Sequence, residues 1–276
     1  MSTTYCCVYC RGSVGEQGEG LRCERCGADY PVRAGIPDFL PRPGRPNATG
    51  VDTAELAATV DNYDAIHDAS LFNVSVEMRE AVSRVRPQDG QRLLDAGCGM
   101  GLLFDHVPAG CHSVALDVSH VALDKTRARH PHVRTVQGMG EALPFPEGSF
   151  DLVFSMGSLE HFISPEKGLE EFSRVLVPGG RAVLLLPKKA FLLRNAIHYY
   201  IYPNFHPVQF VRRALLRLRR FGGMHVQIRD RHFTRPELVA FLRASPLAVE
   251  EVLDVPGTVP SALAYVYLAV LRKAGG

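Results

Sequence analysis

The chain has 276 residues, a formal net charge of +2 and 46% hydrophobic residues, which is ordinary globular composition. This length suits one full-sized domain plus a small accessory module. No apolar run reaches the roughly 18 residues of a membrane-spanning helix, and the start MSTTYCCVYC lacks the features of a secretory signal. We therefore expect a cytoplasmic protein whose seven cysteines stay reduced and favour metal binding over disulfides.

Four cysteines near the N-terminus form two CxxC pairs, Cys7–Cys10 and Cys23–Cys26, separated by twelve residues. Each pair can supply two thiolates from one tight turn, and two such turns close a tetrahedral zinc site. Four thiolates leave no open position for chemistry, so the zinc is expected to be structural. Cys6 is an alternative to Cys7 as the first ligand. The competing interpretations are unrelated thiols or a redox CxxC.

The domain organisation follows from these cysteines and from a change in composition. Residues 1–42 are expected to form a zinc ribbon, which as a module of this size needs a metal to hold it together. The stretch PRPGRPNATG begins a linker, which we place at 43–60. Residues 61–276 are expected to form the main domain.

From residue 92 onward, short apolar strands alternate with helices. Strands are predicted at 92–96, 113–118, 133–136, 150–155, 181–186, near 247–254 and near 264–271. Helices are predicted directly after the first strand, at 121–129, at 165–176 and from Thr234, where Glu237 completes a capping-box pattern. Such alternation predicts an α/β fold: a Rossmann-like, mostly parallel sheet with helices on both faces.

A glycine-rich loop follows the first of these strands in the sequence LLDAGCGMG (93–101). Glycine suits a place where the backbone turns sharply and closely approaches a ligand. Asp117 ends the second strand, 20 residues after Gly97, and an acid there can accept both hydroxyls of a ribose. The two features predict an adenosine-containing cofactor but do not separate a dinucleotide from S-adenosylmethionine (SAM).

The motif LLDAGCGMG resembles the first motif of class I SAM-dependent methyltransferases. The resemblance continues in order through ALDVS (115–119), GEALPFPEGSFDLVFSMGSLEHF (140–162) and EEFSRVLVPGGRAVLLLP (170–187). It is greatest to the branch that contains the ubiquinone and menaquinone methyltransferases and many small-molecule methyltransferases. The fold implied is the class I methyltransferase sheet.

This resemblance also implies the residues that bind the cofactor. The methionine part of SAM is expected along the glycine loop, the ribose at the acid of the second strand, the adenine beside the next loop, and the sulfonium at the end of the fourth strand, under an aromatic lid. The residues are Asp95, Gly97, Cys98, Gly99, Gly101, Asp117, Val118, Met139, Gly140, Glu141, Ser155, Met156 and Tyr63. Related enzymes often carry an aspartate where Met139 stands, so backbone atoms here would have to read the adenine edge.

Glu160 and His161 lie where the family places active-site residues. His161 is the candidate general base, because imidazole titrates in a range suited to that task. The alternative is a structural hydrogen bond from His161 to the backbone. His198, Tyr199 and His206 are weaker candidates.

A basic insert spans about 188–233. Between Lys188 and Arg235 there are eleven Lys or Arg residues and one acid, Asp230. Four apolar residues from Val208 to Leu218 share one helical face, and arginines occupy much of the rest. The segment could cover the acceptor pocket, bind RNA phosphates, lie on an anionic membrane surface, or form a helix with a solvated basic face.

The sequence favours methyl transfer from SAM to a small-molecule acceptor. The stretch SMGSLEH replaces the Asn-Pro-Pro-Tyr sequence of many enzymes that methylate planar amines. The first alternative is an RNA methyltransferase, which would bind RNA through the ribbon and the insert. YPVRAGIPDFLP (30–41) resembles the end of zinc-ribbon proteins that activate tRNA and protein methyltransferases, and one group of ribosomal RNA guanine methyltransferases carries a zinc module here. The second alternative is a SAM-binding scaffold without methyl transfer. The oligomeric state is not predicted.

Overall fold

The N-terminal part of the protein forms two small antiparallel sheets in the computed structural model, which describes residues 5–45, 50–68, 75–189, 231–255 and 266–275. The first sheet contains β1 (Tyr5–Cys6), β2 (Ser13–Gln17), β3 (Gly20–Cys23) and β4 (Asp29–Tyr30). The second contains β5 (Val32–Arg33) and β6 (Ile36–Pro37). Tight turns between these strands carry the two CxxC pairs.

The rest of the chain forms one seven-stranded sheet flanked by helices. Its strands are β7 (Arg92–Ala96), β8 (His112–Asp117), β9 (Arg134–Gln137), β10 (Phe150–Met156), β11 (Leu176–Pro187), β12 (Ala248–Val255) and β13 (Val266–Arg272). The helices are α1 (Thr53–Asp68), α2 (Ser75–Val85), α3 (His120–Arg129), α4 (Pro165–Val175) and α5 (Arg235–Arg243). No helix in the described ranges is both long and apolar enough to cross a membrane.

The strand order is β12-β13-β11-β10-β7-β8-β9. All neighbouring pairs from β11 to β9 are parallel, whereas β13 runs antiparallel to both β11 and β12. The chain builds outward from β7 to β9 and then crosses to β10 on the other side. In such sheets, a crevice opens where the order reverses, at the carboxyl ends of the strands. This crevice between β7 and β10 positions the candidate site.

The structure confirms the predicted fold class, and it also corrects one predicted element. The glycine loop does not open an α-helix: only a short 3₁₀ turn, Leu102–Asp105, follows it. Gly101 precedes this turn in a left-handed conformation (φ 71°), and no side chain caps it. Helix α1 begins at Thr53, inside the segment 43–60 that composition suggested as a linker.

The capping box predicted at Thr234 is present. The Thr234 hydroxyl accepts the Glu237 amide, and the Glu237 carboxylate accepts the Thr234 amide. These reciprocal bonds satisfy two amides at the start of α5, which would otherwise lack partners. Helix α5 can therefore begin at Arg235, two residues after Phe233, which pairs with Lys188 just beyond β11.

The zinc-ribbon region packs against β9, the last strand of the large sheet. Asp38 pairs with Gln137 in parallel register. Side chains of both parts join one hydrophobic cluster, which includes Tyr30 and Phe39 from the ribbon region and Val136 from β9. The N-terminal strands therefore cover an edge that would otherwise offer unpaired backbone groups.

A second junction between the two parts is ionic. The buried Glu171 carboxylate on α4 accepts hydrogen bonds from Arg11 (2.8 Å), from Arg174 (2.7 Å) and from the Leu143 amide (2.8 Å). Arg174 also donates to the carbonyl oxygens of Leu143 and Phe145. Burial disfavours a charged Arg174, but the Glu171 carboxylate outweighs that cost and raises the pKa of Arg174.

Replacing Glu171 with alanine should destabilise the fold by about 3 kcal/mol, because it leaves the half-buried Arg174 guanidinium without its counter-charge. Urea unfolding followed by circular dichroism measures this change. Glu170→Ala is the matched control, since Glu170 is exposed on the same helix. Equal unfolding free energies for the two variants would contradict the structural role assigned to Glu171.

Candidate functional site: a cleft at the carboxyl edge of the sheet

A cavity lies at the carboxyl ends of β7, β8, β10 and β11, beneath helix α1. The residues that line it come from nine separate parts of the chain. Those predicted from sequence are Tyr63, Gly97, Cys98, Gly99, Asp117, Val118, Met139, Gly140, Glu141, Met156, Glu160 and His161. Asp95, Gly101 and Ser155 were also predicted, but they do not line the cavity.

The glycine loop forms one wall. Gly97 has φ 81°, and a Cβ there would lie 2.4 Å from the Ser158 Cβ, so no other residue fits. The amides of Gly97 and Cys98 both donate to the Leu116 carbonyl oxygen, at 2.8 and 3.0 Å, and fold the loop back over β8. Gly101 packs away from the cavity, where a Cβ would lie 2.7 Å from Thr126. The loop thus presents bare backbone to a ligand.

Asp117 lies at the end of β8 and faces this loop. One carboxylate oxygen accepts the Gly99 amide (2.9 Å) and the other accepts the Ser119 amide (2.8 Å). Burial raises the pKa of Asp117, while the nearby His67 and the two amide donors partly offset that effect. Each oxygen retains a lone pair, so the carboxylate can still accept hydroxyl groups from a ligand.

Asp95 lies in β7 below the loop rather than in the cavity. Its carboxyl group is buried, and one of its oxygens has no hydrogen-bond partner among the described residues. Burial raises the pKa of Asp95 well above its usual value, and the nearby Asp117 carboxylate raises it further. Two buried acids therefore lie side by side at the base of the site.

The segment after β9 forms the wall opposite the glycine loop. Met139 is almost fully buried, and its carbonyl oxygen already accepts the Ala142 amide at 3.2 Å. Gly140 touches the Phe162 ring so closely that a Cβ would lie 2.0 Å from it. The Glu141 carboxylate accepts the Ile163 amide (2.7 Å) and the Ser164 amide (3.3 Å), which fixes the entry to α4.

The third wall begins at the end of β10. Ser155 is buried and shares a hydrogen bond with the Ser158 hydroxyl, which donates to the Ala96 carbonyl oxygen at 2.8 Å. Ser155 is therefore linked to β7 through Ser158, and it does not line the cavity. Met156, the next residue, does line the cavity.

Glu160 and His161 follow in a 3₁₀ turn, Leu159–His161, and both line the cavity. The Nε2 atom of His161 lies 3.8 Å from a Glu160 carboxylate oxygen. The Tyr63 ring of α1 lies 6.4 Å, centre to centre, from the His161 ring. An imidazole, a carboxylate and an aromatic ring therefore converge on the same part of the cavity.

Sequence reasoning missed His67, which lies one helical turn after Tyr63 and lines the cavity. Its ring stacks on Tyr63 with centres 6.2 Å apart, and it lies beside Gly99. Its Nδ1 atom is buried without a partner among the described residues. The four-residue spacing from Tyr63 was the signal that could have revealed it.

The ends of the basic insert also reach the cavity. Lys188 and His232 both line it, and the Phe233 amide donates to the Pro187 carbonyl oxygen at 3.1 Å. The Lys188 ammonium is neutralised by Asp254 at 2.5 Å. Residues 190–230, including the candidates His198, Tyr199 and His206 and the predicted basic helix, lie outside the described residues.

The four predicted metal ligands come together in the N-terminal part. The sulfur atoms of Cys7, Cys10, Cys23 and Cys26 all lie within 4.8 Å of one another, and all four thiols are free. Cys7 is 3.6 Å from Cys26, and Cys10 is 3.5 Å from Cys23. Sulfur atoms about 2.3 Å from a tetrahedral zinc would be separated by about 3.8 Å, so the cluster fits this ion. Cys6 points away, toward the Leu143 carbonyl oxygen.

A family model described as a methyltransferase domain matches residues 94–184. The chain is 35% identical over 136 residues to the demethylmenaquinone methyltransferase of Renibacterium salmoninarum, across 47% of this chain and 57% of that relative. It is 33% identical over 149 residues to the demethylmenaquinone methyltransferase of Thermus thermophilus, across 50% of this chain and 68% of that relative. The chain thus spans between about half and two thirds of the length of these relatives.

Among solved structures, the chain resembles one from the complex between the Trm112 methyltransferase activator and a methyltransferase of Haloferax volcanii. The TM-score is 0.60 at 20% identity, over 79% of this chain and 98% of that chain. At this identity, the likeness concerns the fold alone. The similarity to the Thermus thermophilus relative goes further: this chain belongs to the class I SAM-dependent methyltransferase family.

Replacing Cys7 with alanine should abolish stoichiometric zinc binding, because three thiolates no longer close the tetrahedron. Cys6→Ala is the matched control and should retain one zinc ion per chain. Both variants are purified under reducing conditions and analysed by elemental mass spectrometry. Zinc loss in Cys6→Ala with retention in Cys7→Ala would reverse the assignment of the first ligand.

Proposed function

We propose that this protein transfers a methyl group from SAM to a small-molecule acceptor. The observation that carries the proposal is a single cavity with two unlike halves. One half combines the bare glycine loop with the Asp117 carboxylate. The other half is mainly apolar and contains the His161 and Glu160 pair, and it includes the side chains of Leu185, Leu186 and Val266.

In this proposal, the SAM half of the cavity uses backbone more than side chains. Asp117 accepts the ribose hydroxyls, and Val118 packs on the adenine. The amide groups along Met139 to Glu141 read the adenine edge, because the Met139 side chain offers no donor and the Glu141 carboxylate holds the start of α4. Gly97 and Gly99 leave room for the methionine part, and Tyr63 with His67 covers it from α1.

When bound, SAM supplies an electrophilic methyl group on a positively charged sulfur that is already a good leaving group. The chain's own contribution is therefore to position the acceptor and exclude water. His161 removes the proton of an acceptor hydroxyl or amine at an imidazole nitrogen when that proton is of high pKa. The Glu160 carboxylate, 3.8 Å away, then stabilises the imidazolium.

The small-molecule acceptor is supported by the names of the relatives, which are demethylmenaquinone methyltransferases. RNA methylation remains the second candidate because of the basic insert. The Lys188 ammonium at the cavity does not favour RNA binding, because it is already paired with Asp254. A scaffold without methyl transfer is the third candidate. The proposal includes a cytoplasmic location, because a four-thiolate zinc site needs cysteines that stay reduced.

The acceptor class can be tested before the acceptor itself is identified. Purified protein and SAM are incubated with either a small-molecule filtrate of a cell extract or total RNA, and formation of S-adenosylhomocysteine is measured. We expect turnover with the filtrate only. Turnover with RNA, lost on ribonuclease treatment, would favour the second candidate, and no turnover with either would favour the scaffold.

Asp117→Ala should weaken binding of S-adenosylhomocysteine by roughly 10- to 100-fold, because hydrogen bonds to a charged group contribute about 1.5–3 kcal/mol. Isothermal titration calorimetry measures the affinity. Asp124→Ala is the control, since Asp124 lies on the neighbouring helix with an exposed side chain. Unchanged affinity in the Asp117 variant would refute the ribose assignment.

His161→Ala should lower the turnover number about 100-fold for an acceptor that must lose a proton, which is typical of a missing general base. The affinity for S-adenosylhomocysteine should stay within about twofold of the wild type, as the imidazole is assigned to the acceptor half. His161→Gln separates proton transfer from hydrogen bonding, because glutamine donates but does not titrate. Full activity of both variants would leave His161 with a structural role only.

A further inference from the structure

The zinc ribbon is in direct contact with the segment that forms the adenine side of the cavity. This segment, Gln137–Pro144, begins at the last residue of β9 and includes the cavity-lining residues Gly138, Met139, Gly140 and Glu141. Ribbon residues bind it at both ends. The ribbon is therefore more than a neighbouring module, because the wall of the cofactor site lies between its two points of attachment.

The first attachment is at Gln137. The Phe39 amide of the ribbon donates to the Gln137 carbonyl oxygen at 2.8 Å, beside the parallel pairing of Asp38 with Gln137. The Gln137 side chain donates to the Val118 carbonyl oxygen at 2.9 Å, and the Gly138 amide donates to the Asp117 carbonyl oxygen at 3.0 Å. Gln137 and the adjacent Gly138 thus join the ribbon to Val118 and Asp117, the residues assigned to the adenine and the ribose.

The second attachment is at Leu143 and Pro144. The Cys6 amide donates to the Pro144 carbonyl oxygen at 3.0 Å. The Arg11 guanidinium donates to the Leu143 carbonyl oxygen at 3.0 Å and to the Glu171 carboxylate at 2.8 Å. Cys6 and Arg11 flank the Cys7–Cys10 pair, so their positions depend on the turn that carries two of the metal ligands.

A single tyrosine connects the metal site to the first attachment. The Tyr30 hydroxyl donates to the Cys7 sulfur at 3.0 Å and accepts the Val8 amide at 3.2 Å. The Tyr30 ring packs on the Phe39 ring with centres 4.5 Å apart. All of these groups are buried, so a shift of Cys7 on loss of the metal has no solvent-filled space to absorb it.

We propose that the zinc-loaded ribbon positions the adenine side of the SAM site, with Phe39 and Arg11 as positioning residues. The proposal rests on the proposed function for its choice of ligand. It predicts that zinc removal lowers the affinity for SAM by more than the accompanying loss of folding stability explains. In the simpler alternative, the ribbon only stabilises the fold. Any variant that lowers the folding stability, in the ribbon or elsewhere, would then lower the ligand affinity to the same extent.

The test measures binding of S-adenosylhomocysteine and of 5′-methylthioadenosine, which share the adenosine part, by calorimetry on the full chain. The proteins are the zinc-loaded wild type, the chelator-treated wild type, Phe39→Ala, Phe39→Leu and Arg11→Ala. Leu247→Ala is the stability control, because Leu247 is buried next to β12, on the far side of the sheet. Thermal unfolding of each protein places all affinities on a common stability scale.

We expect both ligands to lose affinity by the same factor, about tenfold, in Phe39→Ala and after zinc removal, a typical size for coupling between sites. Phe39→Leu should recover part of the loss, since leucine still fills the space against Tyr30. Leu247→Ala should bind both ligands normally despite its lower melting temperature. Affinities within twofold of wild type in the two Phe39 variants, Arg11→Ala and the zinc-free protein would overturn the proposal.

Hydrogen exchange of the ligand-free protein provides a second measurement that needs no cofactor. Zinc removal, or Arg11→Ala where the zinc-free chain unfolds, should speed exchange of the amides from Gly138 to Leu143 and leave those of β11 unchanged. Unchanged exchange across this segment would refute the coupling. If the zinc-loaded wild type binds no S-adenosylhomocysteine, the proposed function fails, and hydrogen exchange alone decides whether the ribbon controls this segment.

Discussion

The reversal of strand order beside β7 is the constraint on which the rest of the structure depends. Strands β8 and β9 are added on one side of β7, and β10 and β11 on the other, so the strand order reverses at β7 and a crevice opens at the carboxyl ends of the strands. The resulting crevice brings Gly97, Asp117 and His161 together from segments that are far apart in sequence. Ser158, bonded to the Ala96 carbonyl oxygen, keeps β10 and β7 aligned at this point.

The same geometry explains the unusual electrostatics of the site. Asp95 and Asp117 come from adjacent strands at their carboxyl ends, and both are buried. Burial raises the pKa of both groups, and the Asp117 carboxylate raises the pKa of Asp95 further. Backbone amides of Gly99 and Ser119 stabilise the Asp117 carboxylate, whereas one oxygen of Asp95 has no partner among the described residues. The Asp117 carboxylate is therefore held in place by backbone amides, and Asp95 lies beneath it in the core of the domain.

The sequence predicted those parts of the site whose residues lie close together in the chain. The glycine loop, the acid at the end of β8 and the two CxxC pairs each lie within a few residues, and their backbone requirements fix the residue types. The predicted helix after the loop was wrong because Gly101 adopts a left-handed conformation and only a 3₁₀ turn follows. The role of His67 and the true environments of Asp95 and Ser155 depend on packing between distant elements. No local sequence pattern encodes such contacts. For the same reason, the docking of the ribbon on β9 could not be predicted from the sequence.

The shared hydrophobic cluster shows why the ribbon and the sheet are interdependent. A module of about forty residues cannot bury enough apolar surface to fold alone without a staple. Here the metal ligand Cys7 and the aromatic residues Tyr30 and Phe39 belong to the same cluster as Leu116 and Met139 of the main domain. Metal coordination therefore stabilises a core that continues without a break into the wall of the cofactor cavity. A ribbon fused in this way has no need to reach the acceptor in order to influence the reaction, because its packing already defines one side of the site.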